Sequence, residues 1–188
     1  MADRIYTRVG DSGETSLVGG RKASKSGCLI QALGDLDEAS CALGLARMAL
    51  DSDRQTDAAI DGVLHSVQNR LLDCCAMLAA PPDAVGRGAF VSQADVSELE
   101  RFIDERACVI AGTSTFVLPG GSERSARLHL ARAVVRRAER SVVQCATEEP
   151  VDPVLLAYIN RLSDVLFVMA RCMTDTTSAT DRRWTPDG

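Results

Sequence analysis

Several common signatures are missing from this sequence, and each absence closes off a function class. No apolar run approaches the ~20 residues needed to span a bilayer; Val165–Ala170 is six apolar residues before Arg171. The first residues, Met1-Ala2-Asp3-Arg4, have neither the apolar segment of a signal peptide nor transit-peptide character, so a cytoplasmic protein is expected. The seven cysteines contain no CxxC pair and no Cys/His zinc spacing. Their odd number on apolar helix faces reads as reduced, buried thiols. No GxxxxGK[ST] phosphate loop occurs. The two histidines, His65 and His129, stand alone, without a Ser/His/Asp or Cys/His arrangement, and read as packing or surface residues. Excess positive charge is also absent. The net charge of −5 argues against nucleic acid and against anionic membrane surfaces.

What remains is a chain of ordinary globular composition, 46% hydrophobic and 25% charged, whose 188 residues suit a single domain. Its basic residues are unevenly placed. Lys22 and Lys25 lie near the N-terminus, and six arginines crowd between Arg124 and Arg140. An acidic protein that gathers arginine in one segment is suited to bind a compact anion there.

The periodicity predicts five helices. Residues 4–25, rich in Gly, Ser and Thr, read as an ordered glycine-rich loop, with a short strand possible only at Arg4–Thr7. Helix one follows from about Gln31 to Leu50 (Leu33, Leu36, Ala39, Leu43, Ala46). Helix two spans about 57–79 and is stopped by Pro81-Pro82. Helix three runs from about Ala94 to Ala111, capped near Ser92 or Gln93. Helix four begins after the N-cap Ser122 and ends near Thr147. Helix five covers about 153–175, and a poorly ordered tail (176–188) follows. The expected fold is an all-α five-helix bundle over about 31–175, one domain over 1–188.

Three groups of residues carry chemistry. Arg132, Arg136 and Arg140 share one stripe of helix four, with Glu139 on the same side and Arg137 beside it. Aligned guanidiniums repel unless a carboxylate or an anion answers them, and a planar fork suits phosphate. A salt-bridged surface face and an anion site both fit that spacing. Asn160, Asp164 and Arg171 form a polar line on the otherwise apolar helix five, and must be hydrogen-bonded to the fold or to a ligand. That line is either an internal network bracing the arginines or part of a site. The N-terminal loop offers Thr7, Gly10, Thr15, Ser16 and Lys25 as anion donors, or is a plain surface loop. Asp35, Asp37 and Glu38, after Gly34, read most simply as carboxylates favoured by a helix N-terminus.

Taken together, the ordered blocks resemble the PduO-type ATP:cob(I)alamin adenosyltransferases. The blocks are Ile5-Tyr6-Thr7-Arg8-Val9-Gly10-Asp11-Ser12-Gly13-Glu14-Thr15-Ser16-Leu17, Gly34-Asp35-Leu36-Asp37-Glu38, Phe116-Val117-Leu118-Pro119-Gly120-Gly121, Arg132-Ala133-Val134-Val135-Arg136-Arg137-Ala138-Glu139-Arg140 and Asn160-Arg161-Leu162-Ser163-Asp164. The likeness covers about residues 4–175. Leu33, and Ala39-Ser40 after Glu38, depart from the family's pattern. The resemblance implies a homotrimer with active sites between subunits. It implies that the N-terminal loop, through Thr7, Gly10, Thr15, Ser16 and Lys25, wraps ATP, with Arg136, Arg137, Glu139, Arg140 and Asn160 around the nucleotide. It pairs Asp37 with Arg132 of the adjacent subunit and sets Phe116 against the corrin ring.

The chemistry is consistent with the missing triad. Cobalt(I) of a corrinoid is itself the nucleophile at the 5′ carbon of ATP, so the protein needs to supply alignment and charge neutralisation for triphosphate. Arg, Lys, backbone N–H groups and Mg²⁺ can supply both. Phe116 is the candidate apolar wedge that would exclude an axial cobalt ligand and ease reduction to cobalt(I). The expected substrates are ATP and cobalamin with Mg²⁺. A flavoprotein reductase and a B12-dependent client enzyme are expected partners. The alternative is a chaperone that stores or delivers adenosylcobalamin.

Overall fold

The computed structural model describes residues 6, 8–81, 90–106 and 117–174. Five helices are present among them: α1 (Cys28–Arg47), α2 (Gln55–Ala79), α3 (Gln93–Asp104), α4 (Glu123–Cys145) and α5 (Pro153–Cys172). The all-α bundle expected from the periodicity is the fold observed. Helix α1 packs against both α2 and α4, α4 also against α5, and α5 against α3.

Each boundary has a local cause. Gly27, in an extended conformation, opens α1, and its carbonyl accepts the Gln31 N–H at 3.1 Å. Ser122 caps α4: its Oγ accepts the Ser125 N–H at 3.1 Å and donates to the Met173 carbonyl at 2.7 Å, tying the start of α4 to the end of α5. Asp152 accepts from the Val154 N–H at 2.9 Å, and Pro153, which has no N–H to leave unsatisfied, occupies the first helical position of α5. The Asp95 carboxylate accepts from both the N–H and the hydroxyl of Ser92 at the start of α3. That helix ends at Asp104, short of the expected Ala111. There Arg106 folds back to lay its guanidinium 3.7 Å from the Phe102 ring centre and donate to the Phe102 carbonyl. Residues 107–111 lie outside the described residues, as do the tail from 175 and most of the Arg4–Thr7 segment.

The core follows the helical spacing. Leu128, Ala131, Val135, Ala138, Val142 and Cys145 form the buried stripe of α4, facing Leu29, Ala32, Leu36, Ala39, Leu43 and Ala46 of α1. The small alanines on α1 allow close approach, and each fully buried Leu or Val contributes about 1.5–3 kcal/mol. Helix α5 is long and apolar enough to cross a membrane by length and composition alone. In this fold it is the core helix, with Leu155, Ile159, Leu162, Val165, Leu166 and Met169 almost fully covered. His129 is buried against the Phe167 ring and His65 is exposed beside Arg47, matching the packing and surface roles expected of them.

The N-terminal segment departs from the expectation of a plain loop. Residues 14–24 form an antiparallel hairpin, β1 (Glu14–Ser16) with β2 (Lys22–Ser24), pairing Thr15 with Ala23. Three-residue strands are too short to show alternation in the sequence. The turn between them contains Gly19 and Gly20 at positive φ, a conformation that glycine adopts without steric cost.

Candidate active site

The six arginines of α4 divide into answered and unanswered charges. Arg124 is held by Asp57 at 2.8 Å, Arg127 by Glu123 at 2.6 Å, and Arg137 by Glu38 and Asp35. Arg132, Arg136 and Arg140 have no carboxylate partner among the described residues. Arg140 Nη1 donates only to the Arg136 carbonyl, one turn back, at 3.1 Å. Arg132 Nε is buried without a hydrogen-bond partner. Burial, and then the like charge of Arg136, hold the Arg132 guanidinium below its ordinary pKa. The salt-bridged arginines, Arg124, Arg127 and Arg137, are thus not those of the Arg132, Arg136 and Arg140 stripe, whose three guanidiniums have no carboxylate partner among the described residues.

A cavity of ≈ 290 Å³ opens along this face, lined by Arg136, Glu139, Arg140, Val143, Gln144 and Thr147. Glu139 is its only carboxylate, and Glu139 Oε1 accepts from Asn160 Nδ2 of α5 at 2.7 Å. Larger cavities of ≈ 330 and ≈ 420 Å³ lie elsewhere. The first has mainly apolar walls, and the arginines of the second (Arg70, Arg101, Arg106) are already ion-paired. Among these cavities, the one beside Arg136 and Arg140 is the one whose arginines lack a carboxylate partner among the described residues.

The expected network bracing the arginines is only partly present. Asn160 reaches Glu139, but Asp164 pairs with Arg161 on its own helix at 2.9 Å, and Arg161 also bonds Glu100 of α3. The carboxylates after Gly34 do not sit in a first turn, because α1 begins at Cys28 and Gly34 is inside it. Asp35, 5% exposed, instead accepts hydrogen bonds from Gln31 and Ser141 and pairs with Arg137. Sequence reasoning missed this junction of α1 and α4. The i, i+4 spacing of Gln31 to Asp35 and of Arg137 to Ser141 was the available signal.

Lys25 donates to the Gly10 carbonyl at 2.7 Å, closing the N-terminal segment on itself. A Cβ on Gly10 would lie 2.9 Å from Lys25 Nζ, so the closure requires glycine or a displaced lysine. Thr15 is half-buried in β1 and Ser16 is exposed. Arg21, in the hairpin turn, forms an ion pair with Glu149 at 3.1 Å, anchoring the hairpin beside the C-terminal end of α4. No hydrogen bond or ion pair within the chain joins Thr15, Ser16 or Lys25 to Arg136, Arg137 or Arg140. Asp37 is exposed on α1, with no hydrogen bond or ion pair among the described residues, and does not meet Arg132 within the chain. Thr7 and Phe116 lie outside the described residues.

The cobalamin adenosyltransferase family model matches residues 5–173. The chain belongs to that family. It is 38% identical over 192 residues to a corrinoid adenosyltransferase of Mycobacterium leprae, covering 98% of this chain and 97% of the relative. It is 41% identical over 169 residues to the corrinoid adenosyltransferase PduO of Salmonella typhimurium, covering 89% of this chain. This chain spans about half the length of the PduO relatives it matches, 48% and 49% of them. Among solved structures, a variant PduO-type ATP:corrinoid adenosyltransferase from Lactobacillus reuteri, complexed with cobalamin and ATP, superposes with a TM-score of 0.80 at 34% identity. The match covers 89% of this chain and 92% of that one.

Among the described residues no group of three His, Cys, Asp or Glu side chains could hold a metal ion.

Proposed function

We propose that the chain transfers the 5′-deoxyadenosyl group of ATP to cobalt(I) of a corrinoid, forming adenosylcobalamin and releasing triphosphate. The observation that carries the reading is the row of unanswered guanidiniums, Arg132, Arg136 and Arg140, beside the Glu139–Asn160 pair. Family membership and the ATP and cobalamin complexes of the structural neighbours support it.

Cobalt(I) attacks the 5′ carbon, and the carbon–oxygen bond to triphosphate breaks with its electron pair on the leaving oxygen. Negative charge therefore grows on triphosphate as the reaction proceeds. The guanidiniums of Arg136 and Arg140 meet that growing charge, which lowers the barrier more than it tightens ground-state binding. Arg137, anchored by Asp35 and Glu38, flanks the same site. Asn160 holds the Glu139 carboxylate in one orientation as an acceptor for nucleotide hydroxyl or amino groups. Thr7, Gly10, Thr15, Ser16 and Lys25 close over the phosphates. Phe116 covers the corrin face and keeps an axial ligand from cobalt, easing its reduction.

That no hydrogen bond or ion pair among the described residues joins the hairpin donors to the arginine stripe supports a site completed by a neighbouring subunit. The exposed Asp37, the buried Arg132 Nε without a partner and the exposed apolar side chains Leu45, Met48 and Leu130 support the same arrangement. The assembly is a cytoplasmic homotrimer in which Asp37 of one subunit pairs with Arg132 of the next. It is supplied with cobalt(I) by a flavoprotein reductase and hands its product to a B12-dependent enzyme.

The test is spectroscopic. Chemically reduced cob(I)alamin plus ATP and the protein should give the absorbance spectrum of an alkylcobalamin. A spectrum that stays that of cob(I)alamin over many enzyme equivalents of ATP would overturn the assignment.

A further inference from the structure

We propose that Asp35 is a positioning residue for the nucleotide reaction: it fixes the rotational setting of α4, and with it the aim of Arg136 and Arg140. The inference rests on the adenosyl transfer proposed above and adds a residue that reaches the nucleotide only through others. Asp35 lies on the face of α1 that packs against α4, and only 5% of it is exposed. Its Oδ2 accepts from Gln31 Nε2 at 3.1 Å, one turn back on α1, and from Ser141 Oγ of α4. Its Oδ1 faces Arg137 Nε at 3.7 Å, and Arg137 Nη2 is held in turn by Glu38. The carboxylate therefore grips α4 at two positions one turn apart, 137 and 141. Each follows directly after an arginine of the stripe, 136 and 140. A buried carboxylate is costly unless it is paired and hydrogen-bonded. This one is answered by one cation and two donors, which only one setting of α4 brings together.

The apolar contact around it leaves the rotation less well defined. Helix α1 presents Ala32, Leu36 and Ala39 there, and α4 presents Val135, Ala138 and Val142. Small apolar side chains bring helices close, whereas a fully satisfied polar cluster specifies one arrangement. Arg136 and Arg140 stand next to the gripped positions and are exposed. The brace on Arg140 comes from the Arg136 carbonyl of the same helix, so it turns with α4 and cannot correct the helix's rotation. With its side chains a helix has a radius of about 5–6 Å, so a turn of about 10° moves that surface by about 1 Å. A misplacement of about 1 Å can cost about 100-fold in rate.

The experiment is steady-state kinetics of alkylcobalamin formation from cob(I)alamin and ATP, with urea unfolding of each variant beside it. Asp35→Asn keeps the size and an acceptor oxygen but removes the charge facing Arg137. In protein that is still folded it should lower kcat/KM for ATP by about 10- to 100-fold and change KM for cob(I)alamin far less. Ser141→Ala should lose ATP turnover in the same direction, and Ser141→Thr, which keeps the hydroxyl, should recover it. Combined with Arg136→Ala, Asp35→Asn should cost far less than it does alone, because a group that it places is gone. The proposal is overturned if Asp35→Asn loses stability but keeps the ATP constants of wild type, or if the two losses multiply in full in the double variant. Should Asp35→Asn fail to fold, Ser141→Ala and its combination with Arg136→Ala decide on the same terms. If wild type itself makes no alkylcobalamin, the functional reading fails, and calorimetric binding of ATP then tests the placement: equal affinity in wild type and Ser141→Ala overturns it.

Discussion

Replacing Arg136 by alanine separates charge used for catalysis from charge used for folding. The side chain is exposed, makes no ion pair and lies close enough to Arg132 to disfavour its charge. Its loss removes nothing that the folded chain relies on, so stability should change by no more than about 0.5 kcal/mol. The nucleotide reaction should suffer far more. One charge-assisted contact is worth roughly 1.5–3 kcal/mol, which is about 10- to 150-fold in kcat/KM for ATP. Because the partner charge grows as triphosphate leaves, kcat should fall as well as KM rise. Arg137→Ala provides the contrast. It breaks ion pairs to Glu38 and to Asp35, leaving the buried Asp35 carboxylate with only Gln31 and Ser141, and should cost about 1–3 kcal/mol of stability. Steady-state kinetics with saturating cob(I)alamin, beside urea unfolding of both variants, makes the comparison. If Arg136→Ala keeps wild-type kinetics, or loses activity only in step with stability, the stripe is not the triphosphate site.

Four further outcomes are expected. Lys25→Ala should weaken ATP turnover in the same direction as Arg136→Ala but by less, since its ammonium is held by the Gly10 carbonyl in the chain alone; unchanged ATP kinetics would remove it from the site. Asp37→Asn should lower turnover and loosen the trimer seen by light scattering at about 60 kDa, three times 20.1 kDa, with Arg132→Lys failing to restore it; wild-type behaviour of both would refute the pairing. Although burial opposes its charge, Asp57 is held below the usual carboxylate pKa by the Asp51 N–H and Arg124. Its stabilisation is therefore complete above the unfolded value of 3.8 and lost as pH falls below it, so the stability gap between wild type and Asp57→Asn in urea should narrow under acid, and a constant gap would contradict this. Phe116→Ala should reduce turnover from cobalt(II) much more than from preformed cobalt(I), and equal losses from both would remove the wedge.

The bundle was legible in the sequence because long amphipathic helices repeat their signal over many turns. The stripes of α1, α2 and α4 emerge within a residue or three of where the spacing put them. The hairpin was not legible, since Glu14–Ser16 and Lys22–Ser24 are too short for alternation and are fixed by turn geometry and by Arg21 reaching Glu149. At the candidate site, spacing identified the arginine stripe but could not tell which guanidiniums were answered. That depends on Asp57, Glu38 and Asp35, which come from other helices. The same limit applies to Asp164, whose alignment with Asn160 suggested a brace for α4 but whose nearer partner is Arg161.

The central claim is that the unanswered guanidiniums receive triphosphate as it leaves the 5′ carbon, and phosphorus NMR of the reaction tests it most directly. With excess cob(I)alamin and ATP, the account predicts one intact triphosphate released for each alkylcobalamin formed, with the ratio held and the rate reduced in Arg136→Ala. ADP with phosphate as the nucleotide products, or alkylcobalamin without matching triphosphate, would contradict it.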